Sequence, residues 1–301
     1  MSVLLEIDLP VPLFRRGKVR NVYDLGDKLL IVSTDRISAF DVVLPCGVPD
    51  KGMVLNRLSA YWFEKAVHIL PNHLIKVVDS DVVLSEVKSL SGYSEGLPDS
   101  LIGRSMLVAK AERVPVECVV RGYLSGSAWE EYRETGKIGR IQLPSGMKES
   151  EELPRPIFTP TTKGDTEHDR PLTDRDIKDL GIEDLFEDLR QKSVLVYGYA
   201  RDYARTRGII IADTKFEFGF VDGQLALIDE LLTPDSSRFW DDSLYEVGHS
   251  QPSFDKQPVR DWLSASGWDK RPPAPVLPSE VIDRTSRRYR EVYSKLTGQV
   301  L

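Results

Sequence analysis

With 301 residues, the chain is long enough to bury a sizeable core in one large domain or two lobes. Its 41% hydrophobic and 29% charged residues are the mix of a globular protein, and no apolar run reaches the length of a bilayer span. A formal net charge of −7 argues against broad nucleic-acid binding, although a local basic pocket can still hold a small anion. Met1 to Pro10 lacks a basic stretch followed by a long apolar one, so no signal peptide is expected. Cys46 and Cys118 lie far apart and without metal-ligand spacing, which fits two reduced thiols in a cytoplasmic protein. Neither a membrane nor a nucleic acid is expected as a partner.

In chain order, Arg15-Arg16-Gly17-Lys18-Val19-Arg20-Asn21-Val22-Tyr23-Asp24 and the apolar run Leu29 to Val32 read as strand, turn, strand. Such a basic hairpin can lay backbone N–H groups and Lys18 or Arg20 over phosphates; a basic edge strand that resists aggregation is the alternative. Ser33 to Asp41 is dense in turn-forming and polar ligand-binding residues. Lys51-Gly52 leads into an amphipathic helix over Met53 to Leu70, with Val54, Leu58, Tyr61, Trp62 and Ile69 at helical spacing. Leu74 to Val78 and Ser105 to Glu112 read as strands, separated by a Ser/Gly/Pro-rich loop around Ser89 to Asp99.

Val114 to Val120 is a further strand, followed by Arg121 and a helix that Ser125 or Ser127 can cap and Gly136 ends. The N-terminus of that helix and Arg121 can hold a carboxylate or phosphate; a capped helix with one surface arginine is the plainer alternative. Lys137 to Pro171 reads as a long polar, proline-rich loop, functional or mobile. Thr173 to Leu180 and Glu183 to Arg207 read as helices. Ile209-Ile210-Ile211 opens a buried strand, along which Asp213, Lys215 and Glu217 alternate with Thr214, Phe216 and Phe218. Asp222-Gly223 signals a turn, and Leu225 to Leu232 returns with Asp229 and Glu230 near its end. Acids on both arms with a lysine between can bind a divalent cation and phosphate together; a solvated charged face is the alternative. Helices near Val259 to Ala265 and over Glu280 to Leu296 close the chain, joined through a proline-rich connector at Lys270 to Pro278. Walker A, G-x-G-x-x-G and G-x-S-x-G patterns are all missing.

Several strings, in this order along the chain, are similar to the SAICAR synthetase family. They are G-K-V-R-N-V-Y from Gly17, D-R-I-S-A-F-D from Asp35 with Lys51-Gly52, and P-V-E-C-V-V-R from Pro115 with Gly126-Ser127. T-K-G-D-T-E-H-D from Thr162, D-T-K-F-E-F-G from Asp213, Asp229-Glu230 and P-D-S-S-R from Pro234 complete them. The family commonly has Thr or Ala where this chain has Ser125, a minor departure. The resemblance implies an α+β fold of two lobes around a cleft, related in layout to ATP-grasp enzymes and protein kinases. Residues 1–113 would be a sheet-rich, ATP-binding lobe, and 114–301 a larger α+β lobe with the charged hairpin and the substrate residues.

The implied activity is that of an ATP-dependent carbon–nitrogen ligase of purine biosynthesis. It would join L-aspartate to 5-amino-1-(5-phospho-D-ribosyl)imidazole-4-carboxylate, giving SAICAR, ADP and phosphate through an acyl phosphate. The chemistry suits the residues, because an amine cannot expel oxide from a carboxylate until phosphorylation supplies a leaving group. By the match, Gly17, Lys18, Arg20, Glu117 and Lys215 would bind ATP, and Glu217 and Asp229 would bind Mg²⁺. Ser38, Asp41, Arg121, Ser127 and Arg238 would bind substrate, with Lys163, Asp165 and His168 in the cleft. Lys215, Arg121 and Asp41 would be catalytic. The reading is compatible with a monomer. A catalytically altered, kinase-like nucleotide-binding protein is the alternative, and would be favoured had one acid of the metal pair been replaced; both are present.

Overall fold

A computed structural model describes residues 3–91, 97–163 and 170–301. Its first sheet grows from the basic hairpin, where β1 (Leu13–Arg16), β2 (Arg20–Asp24) and β3 (Lys28–Ser33) form an antiparallel meander. A small hairpin of β4 (Arg36–Ala39) and β5 (Val42–Gly47) and helix α1 (Lys51–Ala66) follow. Then β6 (Leu74–Val78), helix α2 (Asp81–Ser91) and β7 (Ser105–Ala109) complete a five-stranded sheet in the order β1-β2-β3-β7-β6. Helix α1 buries Val54, Leu55, Leu58, Trp62 and Phe63 at the expected spacing, and they share a core cluster with Ile31, Met106 and Val108 of the sheet. Trp62 and Phe63 are fully buried, and burial of such a side chain stabilises by about 1.5–3 kcal/mol.

Helix α2 forms just before the expected loop and takes in its start, Ser89 to Ser91. Leu84 and Val87 lie three apart and pack with Leu97 and Leu101. The β-branched Val82, Val83 and Val87 obscure that period in the sequence, since they favour strands.

The second sheet is built on two long strands, β8 (Glu112–Tyr123) and β13 (Ile209–Val221). Between them come α3 (Ser127–Thr135), the short pair β9 (Lys137–Ile138) and β10 (Ile141–Gln142), and β11 (Glu152–Phe158). β12 (Thr161–Thr162), α4 (Asp174–Asp179) and α5 (Glu183–Arg205) follow. β14 (Gln224–Ile228) and β15 (Ser237–Asp241) succeed β13, and the six-stranded sheet runs β11-β8-β13-β14, with β12 also on β8 and β15 also on β13. The chain closes with α6 (Gln257–Ala265) and α7 (Ser279–Thr297).

Three sequence expectations change here. Lys137 to Pro171 is not one loop, because β11 pairs Ile157 with Arg121 and Phe158 with Val120. Pro154 and Pro156 hid this strand; it lies at the sheet edge, where proline is tolerated. Neither Ser125 nor Ser127 caps α3: Ser125 Oγ donates to Asp213 at 3.5 Å, and Ser127 Oγ accepts from Arg121 at 3.4 Å. The strand returning from Asp222-Gly223 ends at Ile228 rather than Leu232, since Asp229 and Leu232 take φ of 67° and 51°.

One buried cluster contains Ile31 and Met106 of the first sheet, Val116 and Phe216 of the second, and Tyr289 of α7. Among the described residues no helix is long and apolar enough to cross a membrane.

His73 sits at this junction, 4% exposed, edge-on to Phe63 and with its N–H on the Leu227 carbonyl. Burial holds its imidazole down to about 4 from 6.5. The unfolded chain takes up a proton near pH 6.5 that the folded one refuses, so stability falls as pH drops from there towards 4. The expected loss from this residue is on the order of 2–3 kcal/mol. Urea unfolding of wild type and His73→Asn at about pH 7.5 and about pH 4.5 measures it, since asparagine cannot ionise. A shallower pH dependence is expected in the variant, and equal dependence would remove His73 as the cause.

Candidate active site

Antiparallel register decides what the charged strand faces. Glu217 lies opposite Glu117 and Asp213 opposite Arg121, and residues opposed in a ladder project to the same side. Glu117, Arg121, Asp213, Lys215 and Glu217 therefore share one face, while Thr214, Phe216 and Phe218 enter the core. That face is not the solvated side of an ordinary hairpin, because Asp213 and Glu217 are each only 8% exposed. The basic hairpin of the first sheet lies across from it, and a cleft of about 420 Å³ separates them.

Within the hairpin, the Gly17 N–H donates to the Arg20 carbonyl at 2.7 Å and closes the turn. Arg36 braces that turn. Its guanidinium donates to the carbonyls of Gly17 and Lys18, each at 3.0 Å, to the Leu5 carbonyl at 2.8 Å and to Asn21 Oδ1 at 2.8 Å. Lys18 Nζ meets Asp41 Oδ1 at 2.5 Å. Asp41 and Phe40 form the β4–β5 turn with φ of 64° and 51°, a conformation that costs side-chain-bearing residues energy and concentrates at functional sites. Arg20 crosses to the second sheet, donating to Asp229 Oδ2 at 2.7 Å and Glu230 Oε1 at 3.2 Å.

The floor is a dense array of opposite charges. Lys163 bonds Glu217 and lies 3.5 Å from Glu117, which Lys215 Nζ reaches at 3.1 Å. Burial, and then the Asp229 charge, push the Glu217 carboxyl up to about 7 against the pull of Lys163. Burial also opposes ionisation of Asp229, yet Arg20 and Lys163 hold it well below the usual carboxylate range. Lys215 is desolvated, but Glu117 and Glu230 more than compensate and keep it charged.

An acid pair that retains a proton near neutrality can exchange that proton for a cation. Mg²⁺ commonly takes one or two carboxylates and completes its shell with phosphate and water. Glu217 and Asp229 fit that pattern. Among the described residues no group of three His, Cys, Asp or Glu is placed to hold a metal by itself.

Beside the cleft, a smaller cavity of about 150 Å³ also touches the charged face. This smaller cavity is lined by Asp213, Ser237 and Arg238, and shares Asp235, Lys256 and Arg260 with the main cleft. Asp213 accepts from Arg238 and lies 3.8 Å from Arg121 Nη1. Arg121 Nε is held by Thr159 Oγ1 at 3.0 Å. Gly126 is required here: its φ is 56°, and an added Cβ would stand 2.5 Å from Arg238. The result is a pair of arginines around one carboxylate, ready to receive a second anion.

The family model described as SAICAR synthetase matches residues 13–275. The chain belongs to the SAICAR synthetase family. It is similar to the phosphoribosylaminoimidazole-succinocarboxamide synthase of Geotalea uraniireducens (strain Rf4), 50% identical over 300 residues and 99% of each chain. The enzyme of that description from Thermodesulfovibrio yellowstonii is also 50% identical, over 99% of each chain. Among solved structures, the SAICAR synthase from Saccharomyces cerevisiae complexed with SAICAR matches with a TM-score of 0.87 at 40% identity, over 99% of each chain. A SAICAR synthetase in complex with ADP matches with a TM-score of 0.68 at 27% identity, over 95% of this chain and 98% of that one. The mixed α+β fold is that of SAICAR synthase structures, and the activity is that of an ATP-dependent phosphoribosylaminoimidazole-succinocarboxamide synthase, a ligase of purine biosynthesis.

In this member of the family, Gly17, Lys18, Arg20, Ser38 and Asp41 line the main cleft from the first sheet's side. Glu117, Lys163, Lys215, Glu217 and Asp229 line it from the second. Arg238 lines the smaller cavity, and Arg121 and Ser127 stand beside it through Asp213 and each other. Asp165 and His168 lie outside the described residues. A larger cavity of about 770 Å³ lies elsewhere, between α1, β6 and α7, and none of the candidate residues lines it. Sequence reasoning missed Arg36, Asp235, Lys256 and Arg260. Asp235 stood inside the P-D-S-S-R string, but nothing local signalled that α6 folds back to the cleft.

Proposed function

We propose that this cleft joins L-aspartate to 5-amino-1-(5-phospho-D-ribosyl)imidazole-4-carboxylate through an acyl phosphate. The observation that carries the reading is the adjacency of two anion-binding compartments, one at the basic hairpin and acid pair, the other at Arg121 and Arg238. A carboxylate oxygen of the imidazole substrate attacks the γ-phosphorus of ATP, and ADP leaves. The amine of aspartate then attacks the acyl carbon, the bond to the phosphate oxygen breaks, and inorganic phosphate and a proton are released.

Lys18, Arg20 and Lys215 offset the triphosphate charge, with Gly17 and Glu117 at the same end of the cleft. Glu217 and Asp229 would hold Mg²⁺, which would supply electrostatic stabilisation to the phosphates. Arg121, Ser127 and Arg238 bind the phosphate or carboxylates of the imidazole nucleotide, and Ser38, Asp41 and Lys163 orient the reacting end. Substrate-binding roles for Asp165 and His168 rest on the family resemblance. The first sheet and its helices, residues 1–113, act as the ATP-binding lobe and 114–301 carries the metal and nucleotide hairpin together with the substrate residues, so burial between them excludes water from the acyl phosphate.

ADP release measured with each component omitted in turn tests the reading. Full turnover should need ATP, Mg²⁺, the imidazole nucleotide and aspartate together. ADP release at the full rate without the imidazole nucleotide would overturn it.

A further inference from the structure

We propose that Tyr289 and Lys51 are positioning residues of the active site, acting through Asp235 on the cleft lysine Lys256. The proposal rests on the reading of the cleft as a site for anionic substrates. The Asp235 carboxylate accepts from Lys51 Nζ at 2.8 Å and from Tyr289 Oη at 2.6 Å, and Lys256 Nζ lies 3.2 Å from its Oδ2. Lys51 and Tyr289 are fully buried and line neither cavity, whereas Lys256 lines both. Charge is thus relayed from a dry interior to the cleft wall.

Complete burial of a lysine ammonium is costly, and an apolar replacement is often at least as stable. What this arrangement supplies is direction. Tyr289 occupies Oδ1 and sets the plane of the carboxylate. Lys51 takes one approach to Oδ2, and Lys256 the other, leaving the remaining Lys256 donors for the cavity. Burial and the neighbouring Asp235 charge hold the Tyr289 phenol well above its ordinary value, so it remains a donor. Tyr289 belongs to α7, beyond the stretch that matches the family model, and its hydroxyl ties the C-terminal helix to Asp235.

Tyr289→Phe keeps the ring in the core and removes only the donor. Steady-state kinetics on wild type, Tyr289→Phe, Lys256→Ala and the double variant test the relay, with Tyr293→Phe as control. Tyr293 is on the same helix, but its hydroxyl bonds Gln299 instead. Tyr289→Phe should raise KM for the imidazole nucleotide or aspartate by about 5- to 10-fold and leave KM for ATP and Tm nearly unchanged. In the Lys256→Ala background it should add less than about 2-fold, since both act along one path. Asp235→Asn should raise the same KM values with α7 itself unsubstituted, at a cost in Tm because the buried Lys51 loses its charged partner, which keeps the test open if Tyr289→Phe folds poorly. Full multiplication of the two single effects, or a response equal to that of Tyr293→Phe, would overturn the relay. If Lys256→Ala leaves both substrate KM values unchanged, the reading of this part of the cleft fails and the relay fails with it. A large Lys256→Ala effect that Tyr289→Phe multiplies leaves that reading intact and removes only the relay.

Discussion

Asp229→Asn should lower turnover by at least ~10²-fold, the usual effect of losing one electrostatic stabiliser of a transition state, while the fold survives. The amide is nearly isosteric, so no cavity forms. Arg20 loses a charged partner at 2.7 Å but keeps Glu230 at 3.2 Å. A hydrogen bond to a charged group contributes about 1.5–3 kcal/mol, and relief of the Glu217–Asp229 repulsion offsets part of its loss. Nucleotide binding should become more demanding of Mg²⁺, and raising Mg²⁺ should recover part of the activity. Glu217→Gln should behave alike, and the double variant should lose far less than the product of the singles, because both act through one ion. A Mg²⁺ titration of activity and ATP binding on all four proteins measures this. Near-wild-type turnover in either single variant would reduce the pair to partners of Lys163 and Arg20.

Replacing Arg121 by lysine should cut kcat/KM for the imidazole nucleotide by on the order of 10²-fold. Lysine keeps the charge but cannot hold Thr159 at 3.0 Å, Ser127 at 3.4 Å and an anion with one planar fork. Two charge-assisted hydrogen bonds lost at about 1.5 kcal/mol each give that magnitude. KM for ATP should stay within about two-fold, since Arg121 lies beside the smaller cavity rather than on the nucleotide side. Initial-rate kinetics with each substrate varied separates the outcomes. Equal weakening towards ATP and the imidazole nucleotide would place Arg121 at the nucleotide end.

The charged strand was legible because its period is two: Asp213, Lys215 and Glu217 had to share a face, and the register with β8 adds Glu117 and Arg121 to it. Helix α1 was equally readable from its apolar spacing. What failed to show had physical reasons. Pro154 and Pro156 disguised an edge strand, and valines disguised α2. The positive φ at Asp229 re-aims a side chain that strand alternation alone would place elsewhere. Arg36 read as one polar residue among several, and its bracing role exists only once the hairpin is folded against it. Lys256 and Arg260 reach the cleft through packing of α6, which no local pattern encodes. SAICAR synthetase membership was readable from motif order, whereas the pairing of Lys163 with Glu217 and of Arg20 with Asp229 required coordinates.

The acyl phosphate is tested most directly by isotope transfer. With ¹⁸O in both carboxylate oxygens of the imidazole nucleotide, a single turnover should place one labelled oxygen in the released phosphate and leave the other in the amide. Unlabelled phosphate, with one labelled oxygen in the amide and the other in water, would contradict the account.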